Sequence, residues 1–321
     1  MDIAEKRLPQ DGRIKILEKG KQIDIRVSTL PTILGEKVVM RILDKSAMAI
    51  ALKDLGFSEK NMRMYNDLIT KSYGCVLVTG PTGSGKSTTL YSTLMHVNSP
   101  TKNIITVEDP VEYRILGVNQ VAVNNKAGLT FANGLRTILR QDPNVIMVGE
   151  VRDKETAEIT INAALTGHLV FSTLHTNDSA GAITRLLDMG VEPFLVVSSV
   201  RGIIAQRLVR VICPHCKKEY VPEPYSNERL YLGVSEHEPI TLWKGEGCAR
   251  CNFTGYMGRM SIHEVLPINE EMKAMIMNGE ADNQIFEAGR KFGTTSMKED
   301  GIEKVMQGKT TVSELLRVAY V

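Results

Sequence analysis

The chain has 321 residues, of which 43% are hydrophobic and 24% charged, and its net charge is +2. That length supports a sizeable core in two or three domains, and the near-neutral balance argues against the strongly basic face of a general nucleic-acid binder. No signal peptide is expected from the first residues, and the best apolar run, Phe194 to Ile212, is broken by Arg201, Gln206, Arg207 and Arg210. No membrane span is expected, so the chain reads as cytosolic, with membrane contact only through a partner.

From Arg13 to Leu43, Ile14, Ile16, Ile23, Ile25, Val27, Val38, Met40 and Ile42 alternate with polar residues, with turns expected at Lys19-Gly20 and near Pro31. This pattern predicts antiparallel sheet with one solvated face, on which Arg13, Arg26 and Arg41 would lie. Asp44 to Phe57 reads as a linker, and Met62, Tyr65, Leu68 and Ile69 give the next segment helical spacing.

Four short β-rich runs follow, Cys75–Thr79, Ile104–Val107, Val145–Val148 and Leu169–Ser172, each succeeded by helix-compatible sequence. Runs apolar on both faces predict a parallel sheet covered by helices. Ligands bind at the carboxyl ends of such strands, and here those ends carry chemistry. The first leads into Gly80, Pro81, Thr82, Gly83, Ser84, Gly85, Lys86, Ser87 and Thr88. This is a phosphate-binding loop. Its glycines let backbone N–H groups turn toward an anion, Lys86 would reach the β- and γ-phosphates, and Ser87 would give its hydroxyl to Mg²⁺.

The second run ends in Glu108-Asp109-Pro110-Val111-Glu112, the third in Gly149-Glu150-Val151-Arg152-Asp153, and the fourth in Thr173-Leu174-His175. Phosphoanhydride hydrolysis needs a metal, a group that positions water, and cations for the developing charge. Glu150 would hold Mg²⁺, Glu112 or Glu108 would orient the water, and His168 and His175 would sense the γ-phosphate at the same sheet edge. Arg136 and Arg140, one helical turn apart, would pair with nearby acids or reach a nucleotide in a neighbouring subunit.

Cys213/Cys216 and Cys248/Cys251 form two Cys-x-x-Cys pairs, whose spacing suits four thiolates around a structural zinc; a metal-free remnant and a redox pair remain alternatives. Cys75, at the head of a strand, is expected to be an inert buried thiol. Gly255, Gly258 and Arg259 lie in a turn-rich stretch. Helical spacing then covers Asn269–Asn278, Asn283–Phe292, Met297–Gln307 and Val312–Val318, with Thr311 and Glu314 as a capping box for the last.

Taken in order, Gly80–Thr88, the acidic box from Ile105 to Glu112, Gly149–Asp153 and the Thr166–Thr176 box resemble the GspE/PilB family of traffic ATPases of type II secretion and type IV pilus assembly. The resemblance implies an α/β fold with a RecA-like P-loop NTPase core at 61–209. Around it would stand a partial N-terminal α+β (PAS-like) domain at 1–45, a linker at 46–60, a tetracysteine zinc lobe at 210–260 and a C-terminal helical region at 261–321. It further implies ATP, Mg²⁺ and Zn²⁺ as cofactors and a homo-hexamer on the inner face of the cell membrane. There it would drive an inner-membrane platform protein. Glu112 would be the catalytic glutamate, Glu150 the Walker B acid and His168 and His175 the histidine box. Arg26 and Arg41 would serve the nucleotide cleft, and Arg136 and Arg140 a subunit junction.

By the same resemblance the chain begins inside the N-terminal domain, and Asn144 replaces an aspartate with little expected effect on metal binding. A different class, a nucleic-acid translocase or packaging ATPase, shares the mononucleotide fold and often carries zinc lobes. The near-neutral charge and the lack of aromatics interleaved with Lys and Arg disfavour it. A zinc-stabilised binding module without catalysis is disfavoured by the presence of Glu112 and Glu150.

Overall fold

Alternating apolar residues in the first fifty positions pair, in the computed structural model, as an antiparallel sheet of β1 (Gln10–Glu18), β2 (Lys21–Thr32) and β3 (Gly35–Asp44). The structure describes every residue except Lys19, Gly20, residues 45–49, Tyr320 and Val321. The turn expected at Lys19-Gly20 and the first part of the expected linker therefore lie outside the described residues. Register sets Ile14 beside Ile25 and Ile25 beside Ile42, while Arg13, Arg26 and Arg41 form the adjacent row. Neighbouring positions on a strand face opposite ways, so one face is aliphatic and the other carries the arginines. The second turn falls at Ile33-Leu34, just beyond Pro31, which pairs with Glu36 inside the ladder.

Met1–Ile50 and Ala51–Val321 are separate compact units. In the second, Leu52 and Leu55 are already buried, so the expected linker is here packed structure. Helix α1 (Glu59–Ile69) starts where the Ser58 hydroxyl accepts from the Asn61 N–H at 3.2 Å, and it buries Tyr65, Leu68 and Ile69.

A seven-stranded sheet forms the core of this unit. Its members are β4 (Gly74–Thr79), β5 (Ile104–Glu108), β6 (Val118–Ala122), β7 (Val145–Val148), β8 (Leu169–Leu174), β9 (Val200–Ile212) and β12 (Tyr256–Pro267). The order is β12-β9-β4-β8-β7-β5-β6, with only β12 antiparallel to its neighbour. Helices α2 (Lys86–Val97), α3 (Phe131–Ile138), α4 (Lys154–Leu165) and α5 (Gly181–Asp188) follow strands, and α6 (Pro193–Ser199) follows α5 before β9, supplying the crossovers of a parallel sheet. Cys75, Leu77, Val107, Ile146, Val148, Val170 and Ile203 from five strands share one buried cluster with helix residues such as Leu135, Ile161 and Ile183. Burial alone pushes the Cys75 thiol up to about 12, which makes it unreactive.

Three of the seven strands are absent from the sequence reading. The peripheral β6 is only partly buried, and β9 and β12 carry buried polar residues, among them Gln206 and Glu264, that interrupt the aliphatic pattern. The segment expected to be turn-rich around Gly258 and Arg259 starts β12, with a register shift between Tyr256 and Arg259, and the expected C-terminal helical region begins with that strand.

Between β9 and β12 a lobe forms from β10 (Lys217–Tyr220), α7 (Asn227–Leu232) and β11 (Leu242–Gly245). Helices α8 (Glu270–Met277), α9 (Asp282–Lys291), α10 (Met297–Met306) and α11 (Val312–Ala319) complete the chain. Thr311 accepts from the Glu314 N–H at 3.2 Å as a cap, but the Glu314 carboxylate turns instead to Arg210 (2.6 Å) and Arg317 (2.9 Å). Among the described residues no helix is long and apolar enough to cross a membrane.

Candidate active site and metal centre

Strand β4 delivers the chain to Gly80, and α2 begins at Lys86, so the phosphate loop bridges strand and helix within one turn. Gly80 and Gly85 have φ of +147° and +93°. A Cβ at Gly80 would stand 2.5 Å from Gln206 O, and one at Gly85 would stand 3.0 Å from Gln206 Nε2. Only glycine satisfies both the conformation and the contact. Lys86 donates across the loop to Gly80 O (2.6 Å) and Pro81 O (3.1 Å). Burial pulls its ammonium down to about 8, with Glu150 acting in the opposite direction. The buried Ser84 hydroxyl has no hydrogen-bond partner among the described residues. Ser87 lies in the first turn of α2, exposed at the mouth of the loop.

Glu150 follows β7, separated from β4 by β8 alone. Its carboxylate accepts from Arg152 Nε at 2.6 Å and lies 3.7 Å from His175 Nε2. Burial, reinforced by the Lys86 cation, holds His175 below the ordinary imidazole range, while Glu150 opposes this. Lys86, Glu150 and His175 thus form one electrostatic group at the carboxyl edge of the sheet.

The end of β5 divides its two acids. Glu108 is buried and receives Thr106 Oγ1 (2.5 Å), Gln120 Nε2 (3.1 Å) and the Tyr91 hydroxyl, and burial raises its carboxyl above the usual range. It is occupied as an anchor. Glu112 is half-buried, and its backbone N–H donates to the same Tyr91 hydroxyl at 3.1 Å. Tyr91 on α2 therefore ties the acidic loop to the phosphate-loop helix.

His168 is not at this edge. It precedes β8 whereas His175 follows it, and six strand residues at about 3.3 Å each separate them by roughly 20 Å. Its Nδ1 donates to Ala163 O at 2.9 Å, closing the end of α4. The expectation that both histidines meet the γ-phosphate within one chain fails because a strand has two ends. Asn144 lies at that same far edge, before β7, accepting from the Asn103 N–H at 2.7 Å.

Arg136 on α3 pairs with Glu155 at 2.5 Å, and Arg140, beyond the helix end, donates to Arg136 O at 2.9 Å. Both are exposed. Arg26 and Arg41 belong to the first unit, directly opposite each other on β2 and β3.

In the sequence Gln206 figures only as a break in an apolar run, and Tyr91 not at all. A glutamine inside an otherwise aliphatic strand is the signal for the first, because a buried amide needs partners.

Cys213, Cys216, Cys248 and Cys251 bring their sulfurs within 4.8 Å of one another, with closest pairs at 3.7 and 3.9 Å. Four sulfurs at about 2.3 Å from a tetrahedral zinc stand about 3.8 Å apart, so this set fits that metal. The Gly247 N–H points at Cys216 Sγ (3.3 Å) and the Cys248 N–H at Cys251 Sγ (3.2 Å), a pattern that stabilises thiolates. A Cβ on Gly245 would stand 2.0 Å from Gly255 O, so the two knuckles close only over glycine.

The profile of the type II/IV secretion system protein family matches residues 1–317. The chain belongs to that family. It is 52% identical over 318 residues to the type II secretion system protein E of Pseudomonas aeruginosa, covering 99% of this chain and 63% of that protein. It is likewise 52% identical over 316 residues to the type IV pilus assembly ATPase PilB of Thermus thermophilus, covering 98% of this chain and 36% of the relative. A crystal structure of the pilus retraction motor PilT with bound ADP superposes with a TM-score of 0.71 at 28% identity, over 98% of this chain and 78% of that one. The chain thus spans under two thirds of the length of these two curated relatives.

Proposed function

We propose that this chain is the catalytic part of an ATP-hydrolysing motor for type II secretion or type IV pilus assembly. The observation that carries this reading is the grouping of Lys86, Glu150 and His175 at one sheet edge beside a phosphate loop, in a member of the secretion ATPase family. The loop offers its N–H groups and Lys86 to the β- and γ-phosphates, and the N-terminus of α2 adds its positive end. Ser87 and Glu150 would hold Mg²⁺, which would neutralise the charge of the transferring phosphoryl group. Glu112 orients the attacking water. His175, held neutral by its surroundings, is a hydrogen-bonding group that reports the state of the γ-phosphate through Glu150. The four cysteines bind zinc, which cross-links the lobe.

In this reading the chain works as a homo-hexamer, on the cytoplasmic side of the membrane, against an inner-membrane platform protein. Arg136 and Arg140, exposed on one side of the core unit, serve a junction between subunits. Arg26 and Arg41 are tested for a catalytic contribution by replacing each with Gln, with a tenfold lower rate expected.

Steady-state ATPase activity of this chain beside Glu112→Gln, with single-stranded DNA titrated into both, tests the proposal. Activity that requires Glu112 and ignores DNA supports the motor. Strong stimulation by DNA would replace it with a translocase, and a Glu112→Gln rate equal to wild type would remove Glu112 from catalysis.

A further inference from the structure

Strand β9 runs beside β4 and extends past it, so that Gln206, the residue after the last β4 partner Ala205, stands against the phosphate loop. Its side chain is fully buried and spans two elements. Nε2 donates to Ser84 O at 2.7 Å, and Oε1 accepts from Thr89 Oγ1 in the first turns of α2 at 2.8 Å. A carbonyl can only accept, so the amide orientation is fixed by the Ser84 bond. The same residue's backbone oxygen is what a Cβ at Gly80 would strike. Gln206 therefore touches the loop at its beginning, at its last turn and at the helix it feeds.

We propose that Gln206 is a positioning residue for nucleotide binding: by holding the Ser84 carbonyl toward β9, it keeps the following N–H groups turned toward the phosphates. A peptide unit that points its oxygen one way points the next N–H donors into the loop, and a phosphate cradle depends on that alternation. Without the amide, the Ser84 carbonyl is buried without a donor and gains by rotating toward Lys86 or solvent. The cost falls on phosphate affinity, because the loop must then be reordered when the anion arrives. This inference rests on the nucleotide-binding reading above.

Equilibrium binding of Mg·ADP, measured at 15 °C on wild type, Gln206→Met and Gln206→Glu, is the test. Methionine keeps the volume without either hydrogen bond, and glutamate keeps the acceptor for Thr89 but, as the carboxylate, lacks the donor for Ser84. Both variants are expected to weaken ADP binding about tenfold, the equivalent of one lost hydrogen bond of ordinary strength, and to raise KM for ATP more than they lower kcat. Ile276→Ala, a cavity on α8, serves as the control for general destabilisation: it lowers the melting temperature with an unchanged ADP Kd. If Gln206→Met is less stable yet binds ADP as wild type does, Gln206 is only a packing strut and the proposal is overturned. Failure of the wild-type chain itself to bind ADP would overturn the nucleotide reading and this one with it.

Discussion

Tyr91→Phe removes one oxygen from a fully packed position and tests whether the acidic loop is held by the phosphate-loop helix. The ring is 2% exposed and meets Tyr113 edge-on at 4.5 Å, contacts that phenylalanine preserves. What is lost is the donor to Glu108 and the acceptor for the Glu112 N–H. Glu108 keeps Thr106 and Gln120, so its ionised form loses one donor of three. Hydrogen bonds to charged groups are worth about 1.5–3 kcal/mol, so a loss of about 2 kcal/mol is expected. In a domain of this size that lowers the melting temperature by about 4–8 °C.

The pH dependence carries a definite sign. Burial raises the Glu108 carboxyl, so its cost to the fold is full where the folded protein holds it ionised, shrinks as the pH falls through its raised folded value, and is gone below its unfolded value. Loss of a donor to the ionised form enlarges that cost, so the gap between wild type and variant should be wider at pH 8 than at pH 5. Thermal unfolding across that range, with ATPase kinetics at pH 7.5, forms the assay. Because the Glu112 backbone loses an anchor, kcat should fall about tenfold with a smaller change in KM, as for a misplaced water-positioning group. Wild-type kcat together with a pH-independent melting gap would refute the coupling.

Four further outcomes follow from particular groups. Lys86 titrates at about 8 in the free protein, and phosphate keeps it protonated, so ADP affinity should fall about tenfold between pH 7 and pH 9; isothermal titration calorimetry should show proton uptake on binding near pH 8.5. His263 is fully buried, stacked on Phe57 at 3.6 Å, with both ring nitrogens unpartnered among the described residues. Burial, aided by Lys304, keeps it neutral well below the ordinary range, so stability should be lost below about pH 6.5 by about 1.4 kcal/mol per pH unit, a slope that His263→Leu should flatten in urea melts. Lys304→Met leaves the buried Asp300 carboxylate with Asn61 Nδ2 at 3.2 Å and the backbone N–H of His263 at 2.8 Å but no countercharge. It should cost about 3–5 kcal/mol, and the double variant Lys304→Met/Asp300→Leu should recover part of that. Zinc analysis should give one ion per chain, and chelation or Cys248→Ser should expose residues 213–255 to protease while the core fragment survives.

The parts of the molecule legible in the sequence are those where one local pattern suffices. Four aliphatic runs announce β4, β5, β7 and β8, because strands buried on both faces leave no other reading. Glycine spacing announces the phosphate loop, and cysteine spacing the four-sulfur cluster. What stayed hidden depends on partners distant in sequence. The run that contains β9 is weighed only as a membrane span, broken by residues such as Gln206 and Arg210, yet within the strand Gln206 is satisfied by the phosphate loop and Arg210 by Glu314. His168 and His175 sit in one sequence box, and the run Leu169–Ser172 between them, legible as a strand, already separates them to opposite edges; grouping them follows the box and not the strand. Likewise Glu108 and Glu112 read as interchangeable acids, and only Tyr91, Thr106 and Gln120 separate an anchor from a half-buried carboxylate.

Strand β9 does more than close the sheet. It passes without interruption from its ladder with β4, through the contact at Gln206, to Ile212, and the next residue is the first of the four sulfur donors. About seven residues of extended chain, roughly 23 Å, join the two. The segment is paired with β12 up to Arg210 and again at Ile212, across a register shift between Tyr256 and Arg259. One continuous strand therefore links the nucleotide end to the metal lobe, so that a displacement at either end has a covalent path of extended backbone to the other.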